Sequence, residues 1–148
     1  MKKIILAIFL AFSITSLTAQ IEHPVKWSFA IKKLANNQAE IFIRANIQRS
    51  WHLYGLHQRE GGPVQTTVEF NPANTFKLIG DVTQPTPITV FEDAFKMDVN
   101  YFENSVTFHQ KVMLTSKDAV VRGKVNFMVC NHQKCLPPDE VQFNITIK

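Results

Sequence analysis

Two cysteines, Cys130 and Cys135, lie in the stretch CNHQKCLPP, with His132 and Lys134 between them and Pro137-Pro138 close behind. Three chemistries fit such a pair: a structural staple, half of a metal site, or a dithiol that works by opening and closing. As a staple the bridge is inefficient, because closing a loop of about six residues restrains the unfolded chain by roughly 2 kcal/mol, against about 5 kcal/mol for a loop of about a hundred. As a metal site it lacks neighbours in sequence: structural zinc takes four ligands, commonly from two cysteine pairs. With His132 between the cysteines, the distant His52, His57 or His109 could complete such a set. A c-type haem would need Cys-x-x-Cys-His, which is not present. As a redox pair it has a suitable setting, since positive charge from His132 and Lys134 favours the thiolate that performs exchange. The two prolines offer no N–H, so they end or bend the sheet edge and place Cys135 at an exposed corner. Spacing and compartment alone leave staple and redox pair evenly matched.

The compartment is read from the other end of the chain. Lys2 and Lys3 precede an apolar run from Ile4 to Phe12, followed by small and polar residues up to Thr18-Ala19. This pattern predicts a signal peptide over residues 1–19, cleaved after Ala19. Even extended to Leu17, the run falls short of the roughly 18 to 20 residues that span a bilayer. No cysteine follows that could carry a lipid at a processed N-terminus. Export into an oxidising compartment brings nearby thiols together as a disulfide. The formal charge of +4 falls once Lys2 and Lys3 are removed, and the remaining basic residues are scattered, which gives no support for nucleic-acid binding.

The remaining segment, residues 20–148, is long enough for one domain with its own core and too short for two ordinary ones. Its periodicity is two. Trp27, Phe29 and Ile31 alternate with Lys26, Ser28 and Ala30, and Ile41 and Ile43 alternate with Glu40, Phe42 and Arg44, the pattern of strands with one face on a core. Asn36-Asn37 between them predicts a hairpin turn. Further strands are expected at 51–56, 64–70, 76–80, 88–91, 99–102, 106–114, 120–130 and 141–147. Breaks at Gly61-Gly62-Pro63, Asn71-Pro72, Pro85-Thr86-Pro87 and Pro137-Pro138 separate them. The expected fold class is all-β, an immunoglobulin-like antiparallel β-sandwich. The two cysteines are too close in sequence to bridge its sheets, so they act locally.

Three segments, in order, resemble the N-terminal periplasmic domain of the thiol:disulfide interchange protein DsbD. Trp51-His52-Leu53-Tyr54 is similar to the early strand whose aromatic residues lie beside the active site. Glu92-Asp93-Ala94-Phe95, followed by Tyr101-Phe102, is similar to the cap loop. Phe127-Met128-Val129-Cys130 with Cys135-Leu136-Pro137-Pro138-Asp139-Glu140 is similar to the active-site hairpin. The resemblance implies an immunoglobulin-like sandwich that takes electrons from a membrane-embedded, DsbD-like donor and passes them to periplasmic thioredoxin-fold proteins, a traffic that also serves cytochrome c maturation. It implies no bound cofactor, no metal and no small-molecule substrate.

Residue by residue, it assigns Cys135 as the sulfur that forms mixed disulfides and Cys130 as the resolving thiol. Phe95 becomes the cap aromatic that covers the disulfide and keeps out small thiols until a partner displaces it. Glu92 and Asp93 become acidic cap residues that raise thiol pKa, and His52 and Tyr54 line the site, whereas Trp51 fits core packing better. The chain departs from the family's best-known member in having one residue fewer between its cysteines and His52 where an aromatic hydroxyl residue stands. Lys96-Met97 also replaces the pair that follows the cap phenylalanine. That member continues into a transmembrane domain and a thioredoxin-like domain, while this sequence ends at Lys148 and is expected to be free-standing. The competing expectation is an immunoglobulin-like protein-binding module with a structural disulfide, docking through Trp51, Tyr54, Phe91 and Phe95.

Overall fold

The structure, a computed structural model, describes residues 22–148; the expected signal peptide lies outside them. The described residues form eleven strands and no helix: β1 (Val25–Lys33), β2 (Gln38–Ile47), β3 (Trp51–Tyr54), β4 (Thr67–Phe70), β5 (Phe76–Thr83), β6 (Ile88–Glu92), β7 (Met97–Phe102), β8 (Ser105–Leu114), β9 (Ala119–Phe127), β10 (Val129–Asn131) and β11 (Asp139–Ile147). They pair antiparallel in three sheets, ordered β1-β2-β8-β5, β11-β9-β4 and β10-β3-β7-β6. The result is an all-β, immunoglobulin-like sandwich, as the sequence predicts.

The β1–β2 turn forms as expected. Asn36 and Asn37 both adopt left-handed φ values, 58° and 57°, and Gln38 N–H donates to Ala35 O at 3.2 Å across them. Two successive left-handed residues make the mirror-image turn whose twist matches a hairpin, and asparagine tolerates it. The alternation in β2 buries Ala39, Ile41, Ile43, Ala45 and Ile47 completely or nearly so. They meet Val106, Phe108 and Val112 of β8, Val121 and Val125 of β9, and Phe143, Ile145 and Ile147 of β11 in the main core. Each such side chain contributes about 1.5–3 kcal/mol by leaving water. Trp27, Phe29 and Ile31 of β1 are only half-buried, because β1 is the outer strand of its sheet. Gly123 lets β4 and β11 close on β9, since a Cβ there would overlap Glu69 O and the Phe143 ring.

Two expectations are corrected. The strand expected over 64–70 begins only at Thr67, because Thr66 turns inward: its N–H donates to Gly55 O at 3.0 Å and its hydroxyl to Tyr54 O at 2.6 Å. The strand expected over 120–130 is two. β9 ends at Phe127 in the sheet with β11 and β4, and β10 crosses to pair with β3. The register explains the break. Phe127 pairs with Asp139, yet Cys130 pairs with Cys135, so Pro137 and Pro138 together face Met128 alone. This is a bulge, a place where prolines are tolerated and where a ribbon bends. Met128 O is left free to accept the Tyr54 N–H at 3.3 Å, which ties the bent ribbon to β3.

Candidate functional site: a cross-strand disulfide over a second small core

Beyond the bulge the ribbon closes in a tight turn. Asn131 N–H donates to Lys134 O at 2.8 Å and Leu136 N–H to Val129 O at 3.0 Å. Asn131 Oδ1 accepts the N–H groups of Gln133 and Lys134 at 2.8 and 2.9 Å. Bonds flanking a residue pair on both sides define a non-hydrogen-bonded pair, the closer of the two antiparallel kinds. Cys130 and Cys135 occupy it, with Cα atoms 4.0 Å apart, and form a disulfide. The two sulfurs have different surroundings. Cys130 is 2% exposed, whereas Cys135 is exposed at the corner of the turn, where the prolines had placed it.

Cys130 is buried because the β10-β3-β7-β6 sheet is covered on both faces. On one face Trp51, Leu53, Phe102 and Val129 join the main core. On the other, Tyr54, Val99 and Cys130 form a second cluster, packed by Phe95, Val90, Met97, Tyr101 and Met128. The cap segment supplies its lid. Glu92 O accepts the N–H groups of Phe95 and Lys96, closing the β6–β7 hairpin, and Lys96 takes a left-handed φ of 55°. Phe95 meets Tyr54 edge-on with ring centroids 6.1 Å apart.

Polar groups thread this small core. Tyr54 Oη lies 3.2 Å from Cys130 Sγ and 2.9 Å from Glu92 Oε2. The phenol has one proton for two acceptors, and a carboxylate outcompetes a disulfide sulfur. Burial, reinforced by Glu92, raises the Tyr54 pKa, so the phenol stays protonated. His52 Nε2 lies 3.3 Å from Glu92 Oε1 and 3.3 Å from Tyr54 Oη, and its ring lies against Tyr101, tilted by 33° with centroids 4.5 Å apart. Burial lowers the His52 pKa, outweighing the opposite pull of Glu92 and Glu103. The ring is therefore neutral at pH 7 and hydrogen-bonds, where an imidazolium would form an ion pair.

The structure brings together Cys130, Cys135, His52, Tyr54, Glu92 and Phe95. It leaves Asp93 outside: that side chain is exposed and pairs with Lys96 Nζ at 3.0 Å, because the turn that follows Glu92 directs it to solvent. Trp51 and Tyr54 are buried, so the docking patch of the competing expectation does not form; of its four aromatics only Phe91 is widely exposed, at 61%. His109 pairs with Glu40 on the far sheet at 3.2 Å, and among the described residues no group of three or more His, Cys, Asp or Glu could hold a metal ion. Sequence reasoning gave Tyr101 no role. Its signal was the alternation of Val99 and Tyr101 opposite Tyr54, with which Tyr101 pairs directly.

Chemically, the arrangement offers an accessible sulfur that a thiolate can attack and a buried sulfur that leaves, held against a phenol and a carboxylate. Comparisons with known proteins identify the family and the fold. Residues 19–147 match the family model described as thiol:disulfide interchange protein DsbD, N-terminal. The fold is similar to the reduced N-terminal domain of Neisseria meningitidis DsbD, with a TM-score of 0.58 and 11% identity over 83% of this chain and 85% of that one. It is similar to the N-terminal periplasmic domain of ScsB from Proteus mirabilis, with a TM-score of 0.60 and 13% identity over 88% of this chain and 49% of that one. A third similar structure is the complex between the DsbD and PilB N-terminal domains of Neisseria meningitidis, with a TM-score of 0.55 and 12% identity over 78% of this chain and 80% of that one. No curated protein matches the sequence. With its match spanning the sandwich and the cysteine hairpin alike, the chain belongs to the family of DsbD N-terminal domains.

Proposed function

We propose that this protein performs thiol:disulfide exchange in the periplasm, relaying two electrons from a membrane-embedded reductase to thioredoxin-fold proteins through Cys130 and Cys135. The observation that carries this reading is the asymmetry of the bridge, with Cys135 exposed and Cys130 2% exposed. A donor thiolate attacks Cys135 Sγ, the Cys130–Cys135 bond breaks, and its electron pair stays on Cys130. A second donor thiol then resolves the mixed disulfide, leaving two thiols here and a disulfide on the donor. Delivery to an acceptor runs the same steps in reverse, with Cys135 attacking and Cys130 resolving. Family membership supports the chemistry. The known complex of a DsbD N-terminal domain with a PilB N-terminal domain supports protein partners, and the periplasmic ScsB domain supports the compartment, reached after cleavage behind Ala19.

Phe95 acts in this reading as the cap over the buried half of the bridge, and Glu92 is the acidic cap residue that acts on the sulfurs. The test is direct. Cys130→Ser leaves Cys135 able to hold a partner, so thioredoxin-fold proteins should be recovered in disulfide linkage to it, and the wild-type bridge should titrate in glutathione buffers while the fold persists. A bridge that stays closed until the protein unfolds, with nothing captured, refutes the relay.

A further inference from the structure

His52 stands directly across from Cys130 in the β3–β10 pairing. Its Nε2 is 3.3 Å from Tyr54 Oη, which is itself 3.2 Å from Cys130 Sγ. His52 also lines an open, largely polar cavity of about 450 Å³, together with Arg49, Tyr101, Glu103 and His132. An unbroken file of hydrogen-bonding groups thus leads from the buried sulfur to solvent. The file meets a chemical need. A thiolate released into water requires no acid, but Cys130 leaves into a small apolar core formed with Tyr54 and Val99, where an unneutralised charge is costly.

We propose that His52 is the proton-exchange point for Cys130, acting through Tyr54. When a partner thiolate attacks Cys135, the Cys130–Cys135 bond breaks and both its electrons remain on Cys130 Sγ. His52 first takes a proton from cavity water to become imidazolium; Tyr54 then passes its phenolic proton to that sulfur and takes the Nε2 proton of the imidazolium, which returns to the neutral ring. The sum is one proton drawn from solvent for each Cys130 thiol formed. When Cys130 resolves a mixed disulfide, the proton leaves by the same path. Glu92, 2.9 Å from Tyr54 Oη and 3.3 Å from His52 Nε2, holds both groups in line. The inference rests on the exchange reading above and adds to it a residue that departs from the family's pattern.

The other charged or titratable groups around the ring are Tyr101 on β7, Glu103 just beyond it, His132 in the hairpin turn and Arg49 ahead of β3. Burial, the largest influence, together with His132, outweighs the opposite pull of Glu92 and Glu103 and lowers the His52 pKa, so the better donor, imidazolium, grows on acidification. The experiment follows the reduction of the intact protein by dithiothreitol from about pH 5 to 8, with rates divided by thiolate concentration. The normalised wild-type rate should rise as pH falls, approaching about tenfold per unit above the His52 pKa.

In His52→Gln that rise should vanish. Tyr54→Phe, which keeps the ring and removes the hydroxyl, should flatten the profile in the same way, and the double variant should add nothing to either. A His52→Gln profile that superimposes on wild type overturns the inference while leaving exchange intact. If that variant does not fold, a wild-type slope in Tyr54→Phe overturns it equally. A wild-type bridge that dithiothreitol cannot open short of unfolding removes the exchange reading itself, and this inference with it.

Discussion

Replacing Phe95 by alanine takes the lid off the second core, and the size of the effect follows from what that lid covers. Phe95 packs against the cluster of Tyr54, Val99 and Cys130, while Cys135 is exposed with the cap closed. A small thiol can therefore reach Cys135 before the cap opens fully; what must loosen is the packing over the leaving sulfur. The edge-on contact between Phe95 and Tyr54, centroids 6.1 Å apart, is worth about 0.5–1.5 kcal/mol. If that contact is lost on the way to the transition state, Phe95→Ala should accelerate reduction by about 2- to 12-fold. The assay is stopped-flow reduction with excess dithiothreitol, quenched by alkylation and counted as free thiols. Phe91→Ser is the control, since Phe91 is 61% exposed and its removal should leave both rate and stability unchanged within about 0.5 kcal/mol. A Phe95→Ala rate within experimental error of wild type refutes a role for the ring in guarding Cys130. An acceleration above about a hundredfold, worth about 2.7 kcal/mol, refutes the premise that Cys135 is open in the capped state.

Cys130→Ser/Cys135→Ser should fold, losing about 2 kcal/mol in urea denaturation as expected for a loop this short; a loss of about 5 kcal/mol would instead make the bridge a staple. Gly123→Ala should destabilise by about 1–3 kcal/mol, because its methyl meets Glu69 O and the Phe143 ring; an unchanged melting temperature contradicts that close approach. His52 makes stability depend on pH with a defined sign. Its folded pKa is lowered, chiefly by burial, so the unfolded chain binds the extra proton first. The contribution is complete above the unfolded histidine pKa of about 6.5 and is lost as pH falls through the lower folded value. Wild type should thus lose more stability than His52→Gln on acidification, and equal losses would show that the ring is not shielded from water.

The strands were legible because alternation reports burial directly. Ile41 and Ile43 identify β2, and the half-burial of Trp27 and Phe29 in β1 follows from its place at the sheet edge. The division at Met128 was not legible, for a specific reason. Phe127 and Val129 stay in phase across it, both in the main core, so the pattern continues while only the partners change. In the site, Tyr54 contacts Cys130, and His52 and Glu92 contact Tyr54. Asp93 could not be told from Glu92, since two adjacent carboxylates differ only by the turn that sends one inward and the other to Lys96. Tyr101 went unassigned because its partner Tyr54 is 47 residues away in the chain and only the β3–β7 register joins them.

The hydrogen bonds on either side of the cysteine pair do not involve sulfur. Asn131 to Lys134 and Leu136 to Val129 flank the pair at its 4.0 Å Cα separation and would survive opening of the S–S bond. In the proposed exchange, with a partner held on Cys135, Cys130 therefore remains a tethered nucleophile with very high effective molarity. The covalent complex should be short-lived by construction, its lifetime set by the deprotonation of Cys130 and not by a search for the mixed disulfide. Partner turnover is then quick, and an intermediate that can be isolated requires removing Cys130.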